Sequence, residues 1–321
     1  MTASTDSKDR VISSSFSGAG SVLNFPQIHL GYSYDNSGNL LSMTSAYGNL
    51  GYSYDSVNRL RGLTGFSGNQ FQFDYDQSSR LTQITRPGSK SAFSYLPSGV
   101  VSAINHLQTS TSNVISLAEY QYDDRNFPTL KRDLANTRGY SYDQNGQISG
   151  VTVTAGIASA AESFSYDQIG NRLTDNLGSY TYDSKAQKLT EDWQYTYSYD
   201  ANGNLTGKYP KQPGSKAYLY SYSSKNQLTN VKVLNGSLGP VVLETSYIYD
   251  ALGRRIQRSV IDSTNPTDPK KTYSRRYAYN GDNIIFEFDG NNNLLVKYTH
   301  SPLRPDDILA AQITSDGTTA G

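Results

Sequence analysis

Three histidines, His29, His106 and His300, are the first residues to weigh for chemistry. An imidazole serves as a base or metal ligand when a second donor stands at a fixed offset. None of the three opens a His-x-Glu or His-Glu-x-x-His pattern, and each reads as an ordinary side chain. The chain has no cysteine, which removes disulfides, thiolate metal sites and a cysteine nucleophile. There is no Gly-x-Ser-x-Gly elbow and no phosphate loop, and Gly18-Ala19-Gly20 lies in a low-complexity lead-in. Asp-rich stretches such as Asp200-Ala201-Asn202-Gly203-Asn204 and Asp289-Gly290-Asn291 look faintly like calcium loops. An EF-hand loop needs a bidentate Glu at its twelfth position. Counted from Asp200 that position is Lys211, and from Asp143 it is Thr154, so these stretches read as turns. The sequence predicts no catalytic residue, no metal and no cofactor.

The Asp turns belong to a longer phrase that organises the chain. In Tyr197-Ser198-Tyr199-Asp200 the two tyrosines sit two apart and share one face of a strand. Asp200 starts a turn by bonding the backbone ahead of it, Gly203 supplies the positive φ, Asn204 tolerates it, and Leu205 opens the returning strand. The phrase recurs at Tyr34-Asp35 with Gly38, Tyr54-Asp55, Tyr142-Asp143 with Gly146, Tyr166-Asp167 with Gly170, Tyr182-Asp183, and Tyr249-Asp250 with Gly253. Looser copies end at Tyr75-Asp76, Tyr95, Tyr122-Asp123, Tyr222 and Tyr279. About twelve units at spacings of roughly 16 to 30 residues signal a repeat architecture. Between them run half-apolar segments such as Leu81-Thr82-Gln83-Ile84-Thr85, suited to the second strand of each hairpin. No stretch sustains a helical apolar period. The fold class expected is all-β: tandem hairpins forming a curved or spiral antiparallel sheet, with equivalent tyrosines (Tyr34, Tyr54, Tyr75) aligned in ladders and no second layer required.

One copy, Tyr166-Asp167-Gln168-Ile169-Gly170-Asn171-Arg172-Leu173-Thr174, resembles almost letter for letter the Tyr-Asp-x-x-Gly-Asn-Arg-Leu-Thr signature of the YD-repeat, or RHS-repeat, family. The resemblance covers roughly residues 30 to 300. It implies part of the shell of a bacterial polymorphic toxin or insecticidal toxin complex, a non-enzymatic wall that sequesters a cargo polypeptide. It also implies further shell segments as partners and a secreted or cell-surface location. Self-cleavage by an aspartyl site, which many members of the family perform, is not carried over, because Asp268-Pro269 lies inside the array and is followed by Lys270-Lys271.

Composition sets the remaining bounds. The 321 residues carry 28 Lys and Arg against 28 Asp and Glu, scattered without a basic stripe, so no nucleic-acid partner is expected. No run of 18 apolar residues exists, so no membrane span is expected. Residues 1–25 are Ser- and Thr-rich with no apolar signal core, and read as a disordered lead-in. Residues 26–300 read as the array. Residues 301–321, where Pro302 and Pro305 interrupt pairing, read as a partial closing segment and frayed tail. Tyrosine is the outlier at 27 residues against 10 Phe. Exposed tyrosine platforms also suit sugar rings, so the alternative function is a carbohydrate-binding or adhesion module with a glycan as partner.

Overall fold

A strand-forming repeat has two demands, a turn that reverses the chain and a neighbour for each edge, and local pairing meets both. A computed structural model describes residues 2–16, 25–155, 161–185, 187–268, 270–304 and 307–314. Every regular element among them is a strand, and none is a helix that could cross a membrane. Strand order follows chain order in each sheet, all pairs are antiparallel, and no sheet closes on itself among the described residues. The chain forms two compact units, Met1–Gln72 with Tyr218–Gly321, and Phe73–Ala217.

In the first unit the early and late hairpins share one core. Tyr32 pairs with Met43, and Met43 with Leu50, which sets these side chains on one face. Ala278 pairs with Phe286 on the later strands. Met43, Ala278, Phe286 and Phe288 are wholly buried, with Ile28, Leu30, Leu50, Ile256 and Ile285 around them. The Tyr47 ring meets Phe286 edge-on at 5.1 Å, and Phe66 lies 5.2 Å from the same ring. The Tyr32 hydroxyl donates to Asn280 Oδ1 at 2.8 Å, joining residues 248 apart in sequence. At Gly65 an added Cβ would stand 3.0 Å from Thr299 Oγ1, so glycine lets the two strand sets approach. The expectation of a sheet needing no second layer therefore fails in this unit. Its strands carry Met, Phe, Ile and Leu on one face, and these bury against each other.

The second unit is built differently. From Ala92 to Gln194 no described residue is buried, and the strands keep both faces half-exposed. Here local pairing carries the sheet.

Two further expectations change. The lead-in is not disordered over its described part. Thr2–Thr5 and Val11–Phe16 form a hairpin, and the second strand pairs with Ile28–Tyr34. Its turn uses Asp6 and Arg10 as the later turns use their own residues, without tyrosines in the preceding strand. At the other end Ile308–Ile313 pairs with Leu294–His300, so pairing continues past residue 300. Pro302 falls in a loop closed by Ser301 N donating to the Asp307 carbonyl at 2.7 Å, and so costs no ladder bond. Residues 17–24, Pro305 and 315–321 lie outside the described residues.

The core carries a direct test. Phe286→Ala empties a fully buried ring position and is expected to cost about 3–5 kcal/mol in urea unfolding. Leu238→Ala, at a residue 97% exposed, is expected to stay within about 0.5 kcal/mol of the parent.

Candidate functional site

The repeated turn is the one chemical constellation the chain builds many times. At Asp55 the carboxylate Oδ1 accepts from Val57 N at 3.0 Å and Arg59 N at 2.9 Å, while Oδ2 accepts from Arg59 Nε at 2.7 Å. Asp250 does the same with Leu252 N, Arg254 N and Arg254 Nε, at 3.0, 2.9 and 2.8 Å. Where the fourth residue on is Asn, its amide replaces the guanidinium: Asn39 on Asp35 at 2.8 Å, Asn171 on Asp167 at 2.8 Å, Asn204 on Asp200 at 2.9 Å. Asp143 holds Asn145 N and Gln147 N at 2.9 and 2.8 Å. The main chain closes the same loop: Asp35 N donates to the Asn39 carbonyl and Gly38 N to the Asp35 carbonyl. This is a turn with a bulge after it, and the register slips between Ser33 and Tyr34 accordingly.

The third residue after the Asp takes the left-handed conformation. Gly38, Gly146, Gly170, Gly203 and Gly253 do so with φ from 79° to 94°, as the sequence reading placed them. Asn58 and Ser79 fill the same position with φ of 64° and 60°. Asn204 is not left-handed, contrary to the expectation; its amide clasps Asp200 instead. The Asp183 turn is one residue longer, closing from Asp183 N to the Lys188 carbonyl.

The tyrosine before each Asp reaches into the preceding hairpin. Tyr54 donates its hydroxyl to the Leu40 carbonyl at 3.0 Å, Tyr142 to Pro128 at 2.7 Å, Tyr166 to Ile148 at 2.9 Å, and Tyr199 to Leu189 at 2.8 Å. Tyr34 reaches Val11 and Tyr249 reaches Leu228 in the same way, at 2.8 and 2.7 Å. Each acceptor at Leu40, Pro128, Ile148, Leu189, Val11 and Leu228 is the first residue of a returning strand. Leu40 lies beyond the last ladder pair with the next strand, Ser42 with Gly51, so the phenol supplies the partner that the ladder does not. Arginines of the turns then cover these rings: Arg10 over Tyr34 at 4.8 Å, Arg80 over Tyr95 at 4.7 Å and Arg254 over Tyr279 at 4.9 Å. The tyrosines are thus bolted to main chain and capped by cations. Sequence reasoning missed this arrangement because the acceptor is a carbonyl, which leaves no side-chain signal.

The histidines occupy three separate settings. His29 Nδ1 meets Ser15 Oγ at 2.7 Å on an exposed pair of strands. His106 Nδ1 meets Ser91 Oγ at 2.7 Å, and Arg86 Nη1 donates to the same hydroxyl at 2.6 Å. Ser91 has no exposed surface, so the arrangement packs a hydroxyl rather than presenting a nucleophile. His300 Nε2 bonds the Ile284 carbonyl at 2.6 Å. Among the described residues no cluster of acidic and histidine side chains is placed to hold a metal ion.

At Asp6, Asp35, Asp55, Asp76, Asp133 and Asp200 the turn holds its carboxylate as an anion. The Arg10 guanidinium and turn amides bring Asp6 down to about 2, and turn amides with Arg138 bring Asp133 down to about 2. Asp35 and Asp200 are lowered first by Asn39 and Asn204, and Asp55 and Asp76 first by the main-chain amides of Arg59 and Arg80. A carboxylate lowered by folding stabilises the fold above its unfolded value, and that contribution is lost as pH falls through the folded one. Stability is therefore expected to fall steeply from about pH 4 toward pH 2 in acid titrations followed by circular dichroism. Asp55→Asn and Asp76→Asn together should flatten that fall. Tyr142→Phe, which removes only the bond to Pro128, is expected to cost about 0.5–1.5 kcal/mol in urea unfolding.

The teneurin YD-shell family matches this chain over residues 2–106 and 118–266. Two curated relatives align over 244 residues, 73% of this chain and 9% of their own length. They are the tRNA nuclease WapA of Bacillus subtilis, 26% identical, and the tRNA3(Ser)-specific nuclease WapA of Bacillus spizizenii, 25% identical. Among solved structures, TcdB2-TccC3 without its hypervariable C-terminal region superposes with a TM-score of 0.52 at 14% identity. That match covers 97% of this chain and 20% of the other. TcdB2-TccC3 itself gives a TM-score of 0.51 at 14% identity, covering 97% of this chain and 21% of the other. The chain thus spans about a tenth of those curated relatives and about a fifth of those solved chains. Its repeated clasp, its hairpin order and the extent of the family match together make it a member of the teneurin YD-shell family.

Proposed function

We propose that this chain is a stretch of non-enzymatic shell wall, exported by a bacterium, that joins further shell segments and sequesters a cargo polypeptide. The observation that carries the reading is the run of paired strands in the second unit, distributed over three sheets, in which no described residue from Ala92 to Gln194 is buried. Such a sheet has two faces to offer, one outward and one toward whatever it surrounds. The Asp clasps and tyrosine bonds hold it together hairpin by hairpin, so neither face is consumed by a core. The tyrosine face is the one suited to a lining. Its phenols pack against extended chain and keep their polar ends paired to main chain.

Photo-crosslinking in the native host tests the reading. A benzoylphenylalanine is placed at Tyr140 or at Ser141, adjacent residues of the strand Thr137–Tyr142 and so on opposite faces. Capture of a polypeptide from position 140 and not from 141 is the expected result. Capture from neither position, or equally from both, would remove the cargo reading.

A further inference from the structure

In the first unit the later strands shape a cavity of about 410 Å³ whose lining includes Arg255, Tyr277, Tyr279, Asp282, Glu287 and Tyr298. His300 closes part of its wall. Tyr277 pairs with Glu287, and Glu287 with Val296, two residues before Tyr298, so pleating brings these side chains to one face. Apart from Arg255, the lining residues lie after the segments that the family model matches. The volume falls within the range of small-ligand sites, about 300–1,000 Å³.

The charges in the cavity are unevenly committed. Glu287 is already neutralised, with Arg275 Nε at 3.1 Å from Oε1 and the Tyr298 hydroxyl donating to Oε2 at 2.9 Å. Arg255 has no ion pair among the described residues. Its guanidinium rests 5.3 Å from the Tyr277 ring and 5.5 Å from the Tyr247 ring, and its Nε is buried without a hydrogen-bond partner. Burial raises the Tyr277 phenol and brings Tyr279 up to about 12, so both remain protonated. The Tyr279 hydroxyl is spent on the Arg255 carbonyl at 2.7 Å, so the cavity offers one spare cation, the half-buried Tyr298 ring, and carboxylate oxygens at Asp282 and Glu287.

We propose that this cavity binds a hexuronic acid. The sugar carboxylate would pair with Arg255 in a charge-assisted bond. Ring hydroxyls would donate to Asp282 and Glu287, and the apolar face of the pyranose would lie against the Tyr298 ring. A neutral sugar would leave Arg255 unpaired. An acidic peptide side chain would bring its carboxylate beside Asp282 and Glu287 with no hydroxyls to satisfy them. The site is independent of the shell reading, and the crosslinking outcome has no bearing on it.

Calorimetric titration of the full chain with glucuronate, glucose and an N-acetyl-glutamyl peptide tests the proposal. Glucuronate is expected to bind at least about tenfold more tightly than either of the others. Arg255→Gln is expected to abolish that preference in a protein whose circular dichroism is unchanged. Asp282→Asn, at an exposed rim position, is expected to weaken glucuronate binding several-fold, and it keeps the test intact should Arg255→Gln not fold. Absence of glucuronate binding, equal binding of glucose, tighter binding of the peptide, or undiminished binding to either folded variant would overturn the assignment.

Discussion

A hairpin that turns on a bulge leaves main-chain groups without ladder partners, and a chain made of such hairpins must pair them or lose cohesion. This protein meets that constraint with the hydroxyl of one tyrosine per repeat. The bond from Tyr54 to the Leu40 carbonyl, and its counterparts from Tyr142 and Tyr199, tie each hairpin to the one before it. The preference for Tyr over Phe in the repeated phrase follows from this. Phenylalanine would pack equally well but would leave the carbonyl bare. The Asp clasp supports the bond by fixing the turn that follows the tyrosine, and turn arginines such as Arg80 then cover the ring of the next unit.

The same repeat works in two burial regimes. In the first unit it presents Met43, Phe286 and Phe288 to a common core, and hydrophobic burial adds to the local bonds. In the second unit no described residue from Ala92 to Gln194 is buried, and local bonds act there without a core. Repeat energetics explain how this is sustained: each hairpin needs only its neighbours, and the nearest-neighbour terms sum along the chain. The division also places the cavity. Its wall rises from strands whose opposite face is anchored in the core by Ala278 and Phe286, which gives Tyr277 and Glu287 a fixed base.

The fold class was legible because the repeated phrase encodes both the strand and its turn. The positions of Gly38, Gly146, Gly170, Gly203 and Gly253 were legible for the same reason, since few other residues accept their φ. What escaped was whatever depends on partners that a linear reading cannot see. The hairpin at Thr2–Phe16 has no aromatic pair before its turn, and only Asp6 with Arg10 betrays it. The Tyr32–Asn280 bond spans 248 positions with no local signal. The tyrosine acceptors are carbonyls, which every residue carries. The cavity draws on Arg255 and on residues as far along as Ile308, of which only Tyr277 and Tyr279 belong to a copy of the repeated phrase.

The choice of a main-chain acceptor has a consequence for how such chains change over generations. The carbonyls that receive the tyrosines belong to apolar residues of different shape, Val11, Leu40, Pro128, Ile148 and Leu228, and beneath Tyr279 to a charged one, Arg255. A hairpin therefore places no side-chain demand on its predecessor. Unequal recombination can duplicate, delete or transplant a repeat, and the new junction finds its bond without compensating substitutions.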